Sequence, residues 1–301
     1  MKLIRGDGDV AIIPSFFMDA VVALGIEIPE KKKHWVGTGF LVGRKESTNP
    51  DRSTVYIITN KHVVKNQRML YVRFNHNGTA GVKDLPMPLI DNTDTKIYSE
   101  HPFANVDVVA IQIIPKVIVD NNLSLSFFDL DNHSLSLSQM KCTGVDEGSL
   151  VYALGFPMNL VNDSVKAPIC RLGCISRVAD AFLNPQMAET FLVDAQTFPG
   201  NSGGPVVSRP EHMSIDGTPN NISSNLIGIL SAYIPYRETL YSRQTGRDRM
   251  IMEENSGLTI VHPVDRIKEA VELEWARVER QKMINATKLP VAQGIKEEVT
   301  V

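Results

Sequence analysis

Cysteine is scarce in this sequence: Cys142, Cys170 and Cys174 are the only three in 301 residues. So small and odd a set argues against a disulfide framework, and Cys170-x-x-x-Cys174 with no third or fourth ligand nearby makes a poor zinc site. Reduced, buried thiols are the expectation. An excess of one charge is missing too. The 31 basic and 34 acidic residues leave a net charge of −3 and are scattered, which gives no footprint for a nucleic acid. Lys31-Lys32-Lys33 stands among turn residues and reads as a solvated loop. Long apolar runs are absent as well. The stretch Val10 to Ile28 is interrupted by Pro14, Asp19 and Glu27 and preceded by Asp7 and Asp9, so it suits neither a membrane helix nor a secretion signal. A cytoplasmic protein with no membrane, metal or cofactor requirement is expected; the oligomeric state stays open. What the chain does have is apolar content, 43 %, enough for a core in one or two domains.

The most informative stretch is Val193 to Val207, VDAQTFPGNSGGPVV. Ser202 lies among Gly200, Asn201, Gly203 and Gly204, with Pro199 and Pro205 on either side. Glycine reaches backbone angles closed to other residues and proline fixes its own, so the run holds a tight, unusual backbone around one reactive side chain. Such a turn can aim several N–H groups at one point, as a developing oxyanion requires. The same residues also match the G-x-S-x-G elbow of α/β hydrolases, whose acid and base follow the serine; Asp248 and His262 stand in that order. An elbow needs a helix after the serine. Here Pro205-Val206-Val207 and Leu226-Ile227-Gly228-Ile229-Leu230 follow, strand-like segments with no helical period between them, so the partners are sought upstream.

Upstream and downstream the pattern is of short apolar runs punctuated by turns. Strands are expected at Met18–Glu27 (with a helix possible), His34–Val42, Thr54–Thr59, Met69–Phe74 and Val106–Ile114, with a polar loop over Lys45–Ser53. A Ser-, Asn- and Asp-rich segment from Pro115 to Lys141 reads as the link between two halves. The second half offers Ser149–Gly155, Ile169–Arg177, Thr190–Ala195, Pro205–Ser208, Leu226–Tyr233 and Leu258–Val261. Many short strands mean an all-β sandwich or barrel. From Pro263 the period changes: Val264, Ile267, Val271, Trp275 and Val278 predict an amphipathic helix to about Ile284 whose Trp and Val stripe docks on the core. Lys288 to Val301 reads as a loose tail.

A serine hydroxyl needs a base to take its proton. Of the histidines 34, 62, 76, 101, 133, 212 and 262, His62 is singled out because it follows directly on a β-prone run, in Thr59-Asn60-Lys61-His62-Val63-Val64. Asp107 is the matching acid: a lone carboxylate in Val106-Asp107-Val108-Val109-Ala110-Ile111 is costly unless it is paired. The order is then His, Asp, Ser.

These residues carry a resemblance. Gly37-Thr38-Gly39-Phe40-Leu41-Val42, the His62 turn, Asp107 to Ile111, Leu154-Gly155-Phe156-Pro157, Asp194-Ala195 with Pro199 to Pro205, and Gly257-Leu258 to His262-Pro263 together resemble a chymotrypsin-fold (trypsin-like) serine protease. They are most similar to its HtrA/DegP-like branch, over residues 18 to 270. The resemblance implies an all-β chain of two six-stranded antiparallel β-barrels with the site between them and a C-terminal α-helix. The divisions would be 1–120 with His62 and Asp107, 121–262 with Ser202, and 263–301 as helix and tail. His62 would be general base and then acid, Asp107 its orienter, Ser202 the nucleophile, and the N–H groups of Gly200 and Ser202 the oxyanion hole. The substrate would be a protein or peptide. Its primary pocket would be lined by Gln196, Ser231, Ala232, Tyr233 and Gly257, all uncharged, which favours small or medium uncharged side chains.

Three departures from the family accompany this. Asn201 stands where digestive proteases carry an Asp that captures a newly cut N-terminus. Too few residues follow Pro263 for a PDZ domain. The stretch Ile234 to Ser256 is long and Arg-rich; it reads as a surface insertion, or in a sharper version as a mobile gating or self-cleaved loop. A protease fold kept as an idle binding module, or an α/β-hydrolase esterase, are the competing readings; the first would show a lost triad residue or oxyanion glycine, and none is lost.

Overall fold

A computed structural model describes residues 13–29, 32–46, 49–211 and 221–288. Lys31, His212 and the tail beyond Lys288 lie outside the described residues.

The chain begins with a single helical turn, α1 (Ser15–Asp19), and strand β1 (Val21–Ile28), so the expected first strand starts three residues late. β2 (Lys32–Glu46) and β3 (Asn49–Thr59) follow. The expected polar loop over residues 45–53 is largely strand: Arg44 pairs with Thr54, Lys45 with Ser53 and Glu46 with Asn49. Its side chains are polar because this end of the hairpin reaches solvent, and strand pairing uses backbone groups whatever the side chains are. One helical turn, α2 (Lys61–Val64), leads to β4 (Met69–Asn75), β5 (Val82–Pro88), β6 (Ser99–Glu100) and β7 (Val109–Gln112). The linking segment then holds α3 (Pro115–Asp120), β8 (Phe128–Asp129) and α4 (Leu137–Thr143). α4 starts at a reciprocal Ser136–Gln139 capping box and stops at Gly144, left-handed at φ 71°.

The first half is one eight-stranded sheet ordered β5-β4-β1-β2-β3-β7-β6, with β8 added parallel to β2. The expected six-stranded first barrel is not closed among the described residues. Of the expected strand Val106–Ile114 only Val109–Gln112 is assigned to β7, and the gap in the sheet falls between β5 and β6. β6 spans only Ser99–Glu100, and the chain ahead of it meets the end of β5 through one isolated bridge, Ile90↔Lys96, and the bond from the Ile97 N–H to the Leu89 carbonyl at 3.0 Å, too little to make a ladder.

The second half does close. β9 (Leu150–Gly155), β10 (Ile169–Arg177), β11 (Phe191–Asp194), β12 (Pro205–Ser208), β13 (Leu226–Tyr241) and β14 (Asp248–Pro263) form a barrel in the cyclic order β9-β10-β11-β14-β13-β12. A short helical turn, α5 (Ala179–Leu183), sits between β10 and β11. The sequence places β10 and β12 to the residue, but β13 runs on to Tyr241, past its expected end at Tyr233, and β14 begins at Asp248, well before its expected start at Leu258. Ile234–Ser256 is therefore no loop. It is a two-stranded ribbon with its turn at residues 242–247.

One apolar cluster joins the halves: Phe40, Tyr56 and Val108 from the first pack with Leu154, Phe156, Val207 and Ile229 from the second. The helix α6 (Val264–Lys288) closes it with Val264, Ile267, Ala270 and Val271. The stripe expected to dock thus ends early. Trp275 lies outside it under the Arg44 guanidinium, 4.3 Å from the ring centre, and the buried position on the next turn is Glu274, bonded to Arg277 and Ser99.

Candidate active site

Each functional side chain sits where a buried element ends. The β-branched run of β3 is buried from Val55 to Thr59. Asn60 follows and donates from Nδ2 to the Asp107 carbonyl at 2.6 Å. Val63 and Val64 anchor α2 in the core, Val63 packing where Gly37 has no side chain, and so His62 is left facing out. Asp107 is held by Val106 and Val108, both fully buried, at the point where the chain enters β7.

The two halves of the acid–base pair meet directly. Asp107 Oδ2 lies 2.5 Å from His62 Nδ1, and Oδ1 accepts the His62 backbone N–H at 3.2 Å. The Ser231 hydroxyl, from β13 in the other half, donates to Oδ2 at 3.1 Å. Burial alone would raise the Asp107 carboxyl; the bonds from His62 and Ser231 outweigh it, and its pKa is lowered from 3.8. A carboxylate on Nδ1 puts the proton there and leaves the Nε2 lone pair of neutral His62 free.

Sequence reasoning missed the residue behind Asp107. His262 accepts the Asp107 N–H on Nε2 at 3.1 Å, and its Nδ1 lies 2.8 Å from the Glu189 carbonyl. An acceptor role at one nitrogen and a carbonyl at the other select one neutral tautomer, and burial lowers its pKa to match. His101 is similar: Nδ1 accepts the Phe103 N–H, and Nε2 lies 2.6 Å from Glu269 on α6. Only tertiary contacts show that their nitrogens are already engaged.

The serine loop is built by its glycines. Asn201 N–H donates to the Phe198 carbonyl at 3.0 Å, closing a turn with Pro199 second and Gly200 third at φ 99°. That is the residue pattern of a type II turn, which needs a positive φ at its third position. A Cβ on Gly200 would sit 2.4 Å from the Phe156 carbonyl, and one on Gly203 only 2.1 Å from that of Thr38. The carbonyls of the loop are tied away from Ser202: Pro199 to the Met158 N–H (2.7 Å), Gly200 to the Thr38 hydroxyl (2.6 Å) and Ser202 to the Thr38 N–H (2.9 Å). Since N–H and C=O lie on opposite sides of a peptide plane, the Gly200 N–H turns away from Met158. Among the described residues neither the Gly200 nor the Ser202 N–H has an acceptor. Met158 and Asn159 hold left-handed backbones, φ 52° and 59°, costly for side-chain-bearing residues. Ser202 Oγ donates to the Ser231 carbonyl at 3.0 Å.

A model of the trypsin-like peptidase domain matches residues 37–212, more than half of the 301 residues. The chain belongs to the trypsin-like peptidase family. The matched segment contains His62, Asp107 and Ser202. Among curated proteins, none matches the sequence.

In this trypsin-like chain His62 and Ser202 share a pocket of about 340 Å³. Ser231, Ala232 and Tyr233 line it as expected, but Gln196 and Gly257 do not. Gln196 is exposed between buried Ala195 and Thr197: alternation along an extended segment turns neighbours to opposite sides, and the side chain facing the pocket belongs to Thr197. Gly257 lies instead beside the Asp194 carboxylate. The inner wall is made by Leu230 and two buried threonines, Thr197 and Thr259, whose hydroxyls meet at 2.8 Å. The Thr259 hydroxyl donates in turn to the Ala195 carbonyl at 2.9 Å. Among the described residues, no ionisable side chain other than His62 and the Tyr233 phenol lines the pocket. Asp248, the acid of the elbow alternative, lies at the outer end of the ribbon, and His262 is occupied with Asp107 and Glu189.

Proposed function

We propose that this chain is a serine endopeptidase that hydrolyses peptide bonds through an acyl-enzyme. The observation carrying this reading is the Asp107–His62 pair at 2.5 Å, opening on the same pocket as Ser202. A staggered χ1 change of about 120° would take the Ser202 hydroxyl from the Ser231 carbonyl toward His62 Nε2, a bond that commonly tightens only with substrate bound. Ser202 Oγ then attacks the scissile carbonyl, its proton passing to Nε2. The C=O becomes an oxyanion held by the Gly200 and Ser202 N–H groups. Collapse breaks the C–N bond as His62 returns the proton to the leaving amine, and water repeats the sequence on the ester. Asp107 stays ionised and stabilises the imidazolium.

The pocket supports an uncharged side chain before the cleaved bond, since a buried ammonium or carboxylate would find no counter-charge there. The HtrA/DegP-like branch remains our assignment within the family, and the scarcity of cysteine supports a cytoplasmic setting. A fluorophosphonate probe is expected to label the chain and to leave Ser202→Ala unlabelled. Absence of labelling from a folded chain would turn the reading toward an idle binding module.

A further inference from the structure

The two threonines on the pocket's inner wall can arrange their protons in one order only. A hydroxyl has one proton to give and two lone pairs with which to accept. A carbonyl only accepts, so the 2.9 Å bond between Thr259 Oγ1 and the Ala195 carbonyl uses the Thr259 proton. The 2.8 Å contact between the two hydroxyls is then made by the proton of Thr197. Neither threonine has a proton left. Thr197 Oγ1 keeps its lone pairs open, since no group among the described residues donates to it.

This order is held in place by the surrounding backbone. Asn255 Nδ2 donates to the Thr197 carbonyl at 2.6 Å while its Oδ1 accepts the Gly257 N–H at 2.9 Å, which ties the Thr197 segment to β14. Thr259 sits within β14 between its strand partners Val193 and Tyr233. Both threonines are buried. The neighbouring side chains offer them no donor. Leu230, Ala232 and Phe198 are apolar, the Ser231 hydroxyl is given to Asp107, and the Asn201 side chain lies against Gly155. Outside the catalytic residues only the part-exposed Tyr233 phenol keeps a proton. A lone pair in such a wall is satisfied by water until an apolar side chain displaces it, and is then stranded. A side chain ending in O–H or N–H replaces the water. One ending in a carboxylate brings only more acceptors.

We propose that the Thr197–Thr259 pair makes the pocket select, before the cleaved bond, an uncharged side chain that donates a hydrogen bond: threonine over valine, asparagine over leucine, glutamine over methionine or glutamate. The inference rests on the peptidase reading above and names the side chain that the site takes. Size and donor act separately. The pocket's volume of about 340 Å³ sets which of these sizes binds best, and at that size the donor wins. Thr197 is the residue that determines the choice.

The test uses seven fluorescent peptides, Ala-Ala-Ala-X-Ala-Ala, in which X is Thr, Val, Asn, Leu, Gln, Met or Glu. Binding to Ser202→Ala is read by fluorescence anisotropy, and cleavage by the wild-type chain by mass spectrometry. At the size that binds most tightly, the donor should win by about tenfold in Kd and in kcat/KM. Adding Thr197→Val to Ser202→Ala removes the acceptor and should bring the binding ratio to about one; Thr197→Ser keeps the hydroxyl and should keep the preference. Thr259→Val frees the Thr197 proton, so the advantage of Gln over Glu should shrink. A ratio near one without these changes, a preference for the apolar or carboxylate peptide, or a donor preference that survives Thr197→Val would overturn the proposal. So would a preference lost equally in Thr197→Ser, or binding of none of the seven. Fluorophosphonate labelling of Ser202 reads the chemistry separately. Donor-selective binding with neither cleavage nor labelling sinks the peptidase reading and spares this inference; cleavage and labelling without donor preference sink this inference alone.

Discussion

In the proposed mechanism Ser202 and His62 handle a single proton, and this dictates how their loss should combine. Ser202→Ala and His62→Ala are each expected to lower kcat/KM by about 10⁴-fold or more, and the double variant by little beyond either; additive losses would show that the two do not act as a unit. Gly200 makes a second test. Gly200→Ala forces a side chain into φ 99° and places its Cβ 2.4 Å from the Phe156 carbonyl. The turn must yield, taking the Gly200 N–H with it, and kcat should fall about 10²–10³-fold, as when an oxyanion donor is removed, with KM changed far less. His262 gives a prediction with a sign. Burial lowers its pKa below 6.5 in the folded chain, so the unfolded chain binds the proton first as pH falls. Its contribution is whole above pH 6.5 and is lost below it, at up to about 1.4 kcal/mol per pH unit. His101 shifts the same way. The urea midpoint should therefore drop between pH 7.5 and 5.5, and His262→Gln should flatten that drop; a midpoint insensitive to pH over this range would contradict the neutral, buried assignment.

Among the elements, α6 shows how an acid can be part of a core. Glu274 is fully buried and accepts two bonds from the Arg277 guanidinium, which also donates to the Ile97 carbonyl, with the Ser99 hydroxyl on one oxygen. Removing one partner of such a pair leaves an uncompensated charge. Arg277→Ala is expected to cost about 3 kcal/mol in denaturant unfolding, and Glu274→Gln distinctly less; equal effects would mean that the charge is not the issue. The same helix explains why periodicity misjudged Trp275. A stripe of apolar residues predicts a buried face, but at the stripe's far end Trp275 is exposed in part and lies under the Arg44 guanidinium. The ribbon is the reverse case. Its charges and exposed apolar groups look like a loop that could not offset its ordering entropy by burial. What orders it is the register continued from the barrel through β13 and β14.

For the whole molecule, activity should not depend on a processed N-terminus. Family members that need one receive its ammonium on a carboxylate beside the serine; Asn201 stands there, buried and neutral. A folded tag fused ahead of Met1 should leave kcat/KM within a few-fold, and activity appearing only on trimming would contradict this. How far the sequence carries such arguments depends on the range of the forces involved. By itself it determined the β-rich class, most barrel strands, the glycine turn at Ser202 and the His62 and Asp107 positions. These are local signals: β-branched runs, obligatory turn residues, and a carboxylate stranded in an apolar run that demands a partner. Tertiary structure alone decided that the first sheet is not closed among the described residues, because its two end strands, β5 and β6, meet only through the isolated bridge Ile90↔Lys96. It decided that Thr197, and not Gln196, faces the pocket, since the side on which an alternating segment points is set by what it packs against. It decided, finally, that His262 supports Asp107 from behind: a histidine's role lies in what its two nitrogens meet, and those partners stand 155 residues away at Asp107 and 73 residues away at Glu189.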